Sequence, residues 1–198
     1  MYREQRSARP LDAFTGVANP RVYDLELTPE WHQVALFNAE TTTTTIAVAL
    51  SGEHVDGAMG LDPAASYYAY DFWADTLVGA FPGTAKIEMR VEPTHCVMLS
   101  VRKVQPNPQV VSTSRHVLQG WVDLADVKWD GKAKCLSGVA KVIGGEPFKI
   151  VVACNGHKAA KVSAQAAQAR IEKHAEKGLV QIVLERPDNG EVAWKLDW

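Results

Sequence analysis

Glu191-Val192-Ala193-Trp194-Lys195-Leu196-Asp197-Trp198 closes the chain, and its reading decides the fold. Val192, Trp194, Leu196 and Trp198 fall on one side and Glu191, Ala193, Lys195 and Asp197 on the other. Only an extended strand gathers those residues into one apolar face, because successive side chains of a strand alternate. The same period recurs upstream. Residues 134–143, 147–154 and 179–185 are short apolar runs of this kind, as are 22–27, 33–38, 42–50, 66–73, 85–91 and 95–103. Residues 117–127 are read as a further strand. This density of short strands bounded by turn residues predicts an all-β chain of antiparallel β-sandwiches.

Two stretches bear on how the strands are divided. Gln105-Pro106-Asn107-Pro108-Gln109 places two prolines two residues apart, which a central ladder cannot absorb. A boundary is therefore set there: a lead-in segment at 1–19, a first sandwich at 20–104, and a second, immunoglobulin-like sandwich at 105–198, the two forming consecutive Greek-key modules. Residues 158–177 are rich in alanine, glutamine and lysine, which by propensity favours a helix. Val162, Ala164 and Ala166 alternate, as do Ala169 and Ile171, with a slip between the two sets. Strands with a bulge or turn at the slip are the reading preferred.

Bulk composition removes several function classes. With 21 basic and 23 acidic residues the formal charge is −2, so no positive field awaits a phosphate backbone. Nucleic acid is excluded as a partner. No apolar run approaches the roughly 20 residues that cross a bilayer, and no apolar stretch follows the charged start, so neither a membrane span nor a signal peptide is read. The chain reads as soluble, and as cytoplasmic if Met1 is the native start. The three cysteines, Cys96, Cys135 and Cys154, are read as buried free thiols.

Ser7-Ala8-Arg9-Pro10-Leu11-Asp12, then Pro20-Arg21-Val22-Tyr23-Asp24-Leu25, then Trp31-His32-Gln33-Val34-Ala35-Leu36-Phe37-Asn38 form an ordered set of blocks. They are followed by Tyr67-Tyr68-Ala69-Tyr70-Asp71-Phe72-Trp73, by residues 108–120 and by Trp129-Asp130 with Leu136-Ser137-Gly138. In this order they resemble the C-terminal β region of alpha-galactosidase-like (melibiase, raffinose-synthase-like) glycoside hydrolases. The resemblance implies a β region that follows a catalytic (β/α) barrel and packs on it. It also implies that the catalytic aspartates of such an enzyme lie in the barrel, and no part of this sequence matches them. A barrel needs roughly 250 residues of alternating strand and helix, which this chain does not contain. The expectation is a non-catalytic accessory region of a glycosidase that hydrolyses O-glycosyl bonds, with the barrel as its partner. An apolar patch involving the first twenty residues would then lie bare on the isolated chain and favour homo-oligomers.

Each residue cluster with chemical promise has a plainer explanation. Glycosidic cleavage needs two carboxyl groups held about 5 to 9.5 Å apart around one sugar. Asp71 and Asp75 flank Trp73, and Asp123, Asp126 and Asp130 surround Trp121 and Trp129, but aspartates at strand ends are turn formers first. Ser114 and His116 share a strand face without an oxyanion hole or nucleophile elbow, and Arg115 beside them is expected to pair locally or with a neighbouring domain. Cys154-Asn155-Gly156-His157 is half a metal site at most, and Asn155-Gly156 reads as a hairpin turn. No catalytic residue, metal ligand or cofactor is assigned. The tryptophans are the remaining attraction, since a sugar ring can stack its apolar face on an indole. Trp73 and Trp194 fall inside strand patterns and are assigned to cores. Trp31 and Trp129, beside turns, are the candidates for carbohydrate binding, the alternative function.

Overall fold

The computed structural model describes residues 7–198, and their chain divides into two compact units, residues up to Val104 and Gln105–Trp198. Sixteen strands lie among the described residues, all paired antiparallel, with two short 3-10 turns at His54–Asp56 and Leu118–Gly120. The all-β, sandwich-building expectation holds.

The first unit contains β1 (Arg9–Pro10), β2 (Val22–Thr28), β3 (Trp31–Phe37), β4 (Thr44–Ala49), β5 (Ser66–Asp71), β6 (Thr76–Pro82), β7 (Lys86–Val91) and β8 (Cys96–Lys103). One sheet runs β1-β2-β3-β8-β5-β6, and β4 pairs with β7 in a second. Alternation explains the core. Val34 and Leu36 of β3, Leu99 and Val101 of β8, and Tyr67 and Ala69 of β5 meet Ile46 and Val48 of β4 and Ile87 and Val91 of β7, all buried in one cluster.

Residues 7–19, read from sequence as part of a lead-in, are built into this unit. Arg9–Pro10 forms the edge of the larger sheet against Tyr23 and Asp24, Leu11 is buried, and Pro10 sits where a missing N–H costs no ladder bond. Residues 1–6, the rest of that segment, lie outside the described residues.

The second unit is a pair of four-stranded sheets. Its strands are β9 (Gln109–Thr113), β10 (Leu124–Asp130), β11 (Cys135–Val142), β12 (Phe148–Ala153), β13 (Lys161–Ala164), β14 (Gln168–Lys173), β15 (Leu179–Glu185) and β16 (Gly190–Asp197). The orders are β10-β11-β16-β13 and β14-β15-β12-β9. Leu136, Val192, Trp194 and Leu196 from one sheet bury against Ile150, Val152, Ile182 and Leu184 from the other.

Some local expectations need correction. Residues 117–127 are not one strand: Leu118, Gln119 and Gly120 have φ of 58°, 41° and 111°, a left-handed run that no ladder accommodates, so β10 starts only at Leu124. β6 was not expected, and the polar strand read around Ser114 and His116 lies earlier, as β9 at Gln109–Thr113, with both of those residues beyond its end. The slip in 158–177 is a turn: Ala166, at φ 55°, carries the chain from β13 in one sheet to β14 in the other. Asn155 and Gly156 do form a turn with positive φ at both positions, closed by the His157 N–H on the Cys154 carbonyl at 2.9 Å. It is not a hairpin, because β12 and β13 pair in different sheets.

Candidate functional site

The sequence blocks that carry the resemblance are hydrogen-bonded locks in the first unit. Arg9 donates to Asp24 Oδ2 at 3.0 Å, and His32 Nδ1 donates to Asp24 Oδ1 at 2.8 Å, with Asp24 fully buried. Asp12 takes the backbone N–H of Arg21 at 2.9 Å and of Val22 at 3.2 Å, closing the loop between β1 and β2. Asn38 donates through Nδ2 toward the carbonyls of Thr42, Val91 and Glu92 at 2.9 to 3.1 Å and accepts from Glu40 N–H. These groups are consumed in holding loops, which is a structural role.

The loop closed by Asp12 places a large apolar side chain in water. Phe14 is 81% exposed, and Val55, on the 3-10 turn, is 62% exposed. The two loops touch, since a Cβ on Gly57 would stand 3.3 Å from Thr15 Cγ2. Beside them Asp12, Arg21, Asp56 and Lys86 contribute to the rim of a cavity of about 310 Å³.

The candidate carboxylates do not converge on one site. Asp71 Oδ1 accepts from the N–H groups of Trp73 at 3.0 Å and Ala74 at 3.3 Å, and Asp75 accepts the Tyr70 hydroxyl at 2.6 Å. Asp130 caps the turn after β10 through the N–H groups of Lys132 and Ala133, which hold its carboxyl below the usual range. Burial pushes the Asp123 carboxyl up, against the pull of Arg115, Lys141 and His116.

Burial likewise raises the Asp71 carboxyl, and the N–H groups of Ala74 and Trp73 pull it back only in part. An acid raised by folding costs stability once ionised. Its favourable contribution is complete below the unfolded value and disappears as pH rises through the folded one. Asp71→Asn keeps an oxygen for both N–H groups and discards the charge. Thermal melts are expected to place this variant at or above the parent at pH 7, with the gap closing by about pH 3. A variant melting well below the parent at pH 7 would show that the charge itself holds the turn.

Ser112 donates to Gln119 Oε1 at 2.7 Å, Ser114 Oγ accepts the Lys149 N–H at 3.0 Å, and Arg115 pairs with Glu146 inside the second unit at 3.0 Å. Nothing in these bonds builds a nucleophile and its base. Among the described residues no cluster of histidine, cysteine or acid could hold a metal ion. All three cysteines are free thiols; burial raises Cys96 and Cys154.

The tryptophans are distributed differently from the sequence reading. Trp194 is buried in the second core as expected. Trp73, assigned to a core, is 60% exposed, because β5 ends at Asp71 and the side chain sits beyond it on the turn to β6. The Arg102 guanidinium lies 3.4 Å above the Trp31 ring, a cation–π stack that occupies one indole face. Burial pulls that guanidinium down to about 9, so it keeps its charge at neutral pH. Trp129 meets His157 and Trp198 edge-on, at 5.4 and 6.4 Å between ring centres, at one end of the second core. A second cavity, about 590 Å³ and lined by Pro147, Gln168, Glu185, Arg186 and Pro187, contains no aromatic wall and a single carboxylate.

Fold and side-chain roles together define an all-β protein of two sandwich units whose polar groups serve mainly to fix its loops. No family model matches the sequence, and no curated protein matches it. Among solved structures it is similar to the isomalto-dextranase of Arthrobacter globiformis T6 complexed with panose, at 13% identity and a TM-score of 0.37. The likeness covers 98% of this chain but only 39% of that one.

Proposed function

We propose that this chain is a non-catalytic accessory region of an alpha-galactosidase-like glycoside hydrolase, which packs on and stabilises a catalytic (β/α) barrel that the chain does not contain. The observation that carries the reading is Phe14. A phenylalanine held in water by a loop locked at Asp12, on a loop that touches the one carrying exposed Val55, makes sense as a contact that another body covers. It lies on the segment that, in the enzymes the sequence resembles, leaves the barrel.

The test uses the catalytic barrel of an alpha-galactosidase-like enzyme produced without its own β region. Mixing it with this chain is expected to raise the barrel's melting temperature and to give a complex in sedimentation. Phe14→Ser should alter the chain's own stability by no more than about 0.5 kcal/mol, as for other exposed positions, yet abolish the complex. The chain alone should not hydrolyse an aryl galactoside. Absence of any complex, or turnover sensitive to substitution of its carboxylates, would remove this reading.

A further inference from the structure

We infer that the 590 Å³ cavity of the second unit binds a small organic carboxylate, whose charged end pairs with the Arg186 guanidinium and whose apolar body lies among Pro147, Pro187 and the Ala166–Ala167 turn. Such binding goes beyond the accessory-region reading and requires neither Phe14 nor a barrel.

Three connections at one end of the second sandwich build the cavity. The β11–β12 loop supplies Gly145 and Pro147, the β13–β14 turn supplies Ala166, Ala167 and Gln168, and the end of β15 supplies Glu185, Arg186 and Pro187. Its volume falls in the range of pockets that hold small molecules. The loops are already fastened to one another. The Gly145 N–H donates to the Arg186 carbonyl at 3.0 Å, and the Gly144 N–H donates to Asn189 Oδ1 at 2.8 Å. Gly144 lies so close to the backbone of Pro187 and Asp188 that a Cβ there would collide with both. Walls fixed in this way need little ordering when a ligand arrives, which lowers the entropy lost on binding.

The charges in the wall select the ligand. Glu185 is already tied to Arg170 at 2.9 Å, and Gln168 is neutral. Arg186 is different. It is half-buried, its Nη1 reaches the Glu191 carbonyl only at 3.4 Å, and no carboxylate among the described residues pairs with it. Its Nε is shut off from water without an acceptor, whereas Nη2 is open to water and equally without one. The cavity therefore carries one positive charge that the protein does not balance. A guanidinium in that condition favours a carboxylate, whose single charge and planar oxygens match it. Two proline rings and two alanine methyls form most of the remaining wall, and they reward an apolar body that leaves water with them. A neutral sugar would find no aromatic face and few free polar groups here.

Titration of the intact chain, followed by the backbone N–H resonances of Gly145, Ala167 and Arg186, provides the test. Hexanoate, cyclohexanecarboxylate and benzoate are the probes; acetate offers the charge alone, cyclohexylmethanol the body alone, and glucuronate the charge on a polar body. At least one of the three probes is expected to shift all three resonances saturably, with Kd on the order of 1 mM, in keeping with so small a ligand. Acetate, cyclohexylmethanol and glucuronate should each bind at least about tenfold more weakly. Arg186→Gln should raise Kd by about tenfold or more, the usual effect of losing a charged hydrogen bond, and Arg186→Lys should keep part of the affinity. Gln168→Trp, at an exposed position, leaves Arg186 in place and fills the cavity, so it should also weaken binding. Four outcomes would overturn the assignment: no saturable shift with any probe up to about 20 mM, acetate binding as tightly as the probes, glucuronate binding in preference to them, or shifts that persist in both Arg186→Gln and Gln168→Trp. None of these bears on the barrel complex, which is measured separately.

Discussion

Asp24→Ala is expected to cost about 3–5 kcal/mol, the range for removing one partner of a buried charged network. Asp24 has no exposed surface, and it is the acceptor that joins the edge strand β1 to β2 and β3 through Arg9 and His32. Truncation leaves a buried imidazole without this acceptor and takes from Arg9 the nearer of two counter-charges, Glu26 Oε2 remaining at 3.8 Å. The loss is large against the roughly 5–15 kcal/mol that holds a typical domain together. Asp24→Asn should fall between, since its oxygen can still accept from His32 while Arg9 keeps only the more distant charge of Glu26. Arg9→Ala should be mildest, because 38% of that side chain is already in water. Urea unfolding of the three variants would give this ranking. A cost below about 1 kcal/mol for Asp24→Ala would reduce the group to the level of an exposed ion pair.

The sequence announced strands far better than it announced what their ends do. β16 was plain, because eight alternating residues leave no second interpretation. β6 carries Gly79 and Pro82, which blur the strand pattern and are tolerated because it is an edge strand with only β5 to pair with. β9 was read a few residues late, as a polar strand through Ser114 and His116, because Pro106 and Pro108 mask its start, although Gln109–Thr113 is buried throughout. The alanine-rich stretch shows the reverse. Helix propensity there is overruled because Val162 and Ala164, then Ala169 and Ile171, can pack against the second core only from extended backbone.

Trp73 was misassigned because alternation was carried two residues past the strand. Asp71 was the available signal: an aspartate two residues before a position commonly caps its N–H and ends the strand there. Trp31 and Trp129 do sit at strand positions near turns, as expected. What occupies their rings, Arg102 in one case and His157 with Trp198 in the other, comes from parts of the chain that no local pattern links to them. The resemblance blocks were legible as words but not as mechanisms. Arg9, Asp12, Asp24 and Asn38 could have been surface polars on sequence alone, and the fold reveals them as fasteners, all but Arg9 buried.

Asn38→Asp is the sharpest test of that view, because it changes shape hardly at all. The Nδ2 group of Asn38 faces three carbonyl oxygens, one of them 4 residues away and the others 53 and 54 residues away in sequence, so a single amide fastens the β3–β4 loop to the end of β7. Asn38 is fully buried. Replacing the amide by a carboxylate turns its donors into acceptors and sets a negative charge against those carbonyls. A loss of about 3–5 kcal/mol is expected at pH 7, beyond the roughly 1–3 kcal/mol for leaving such a group unsatisfied in Asn38→Ala. The introduced acid would escape part of the penalty by binding a proton, which makes its hydroxyl a donor to one carbonyl. Its folded pKa would therefore lie above its unfolded value. Stability should be best below the unfolded carboxylate value, near pH 4, and should decline as pH rises toward 7. Chemical unfolding at pH 4 and pH 7 distinguishes the cases. If Asn38→Asp matched the parent at pH 7, the amide would not be fastening those loops, and the structural reading of the resemblance blocks would fail at one of its two fully buried members.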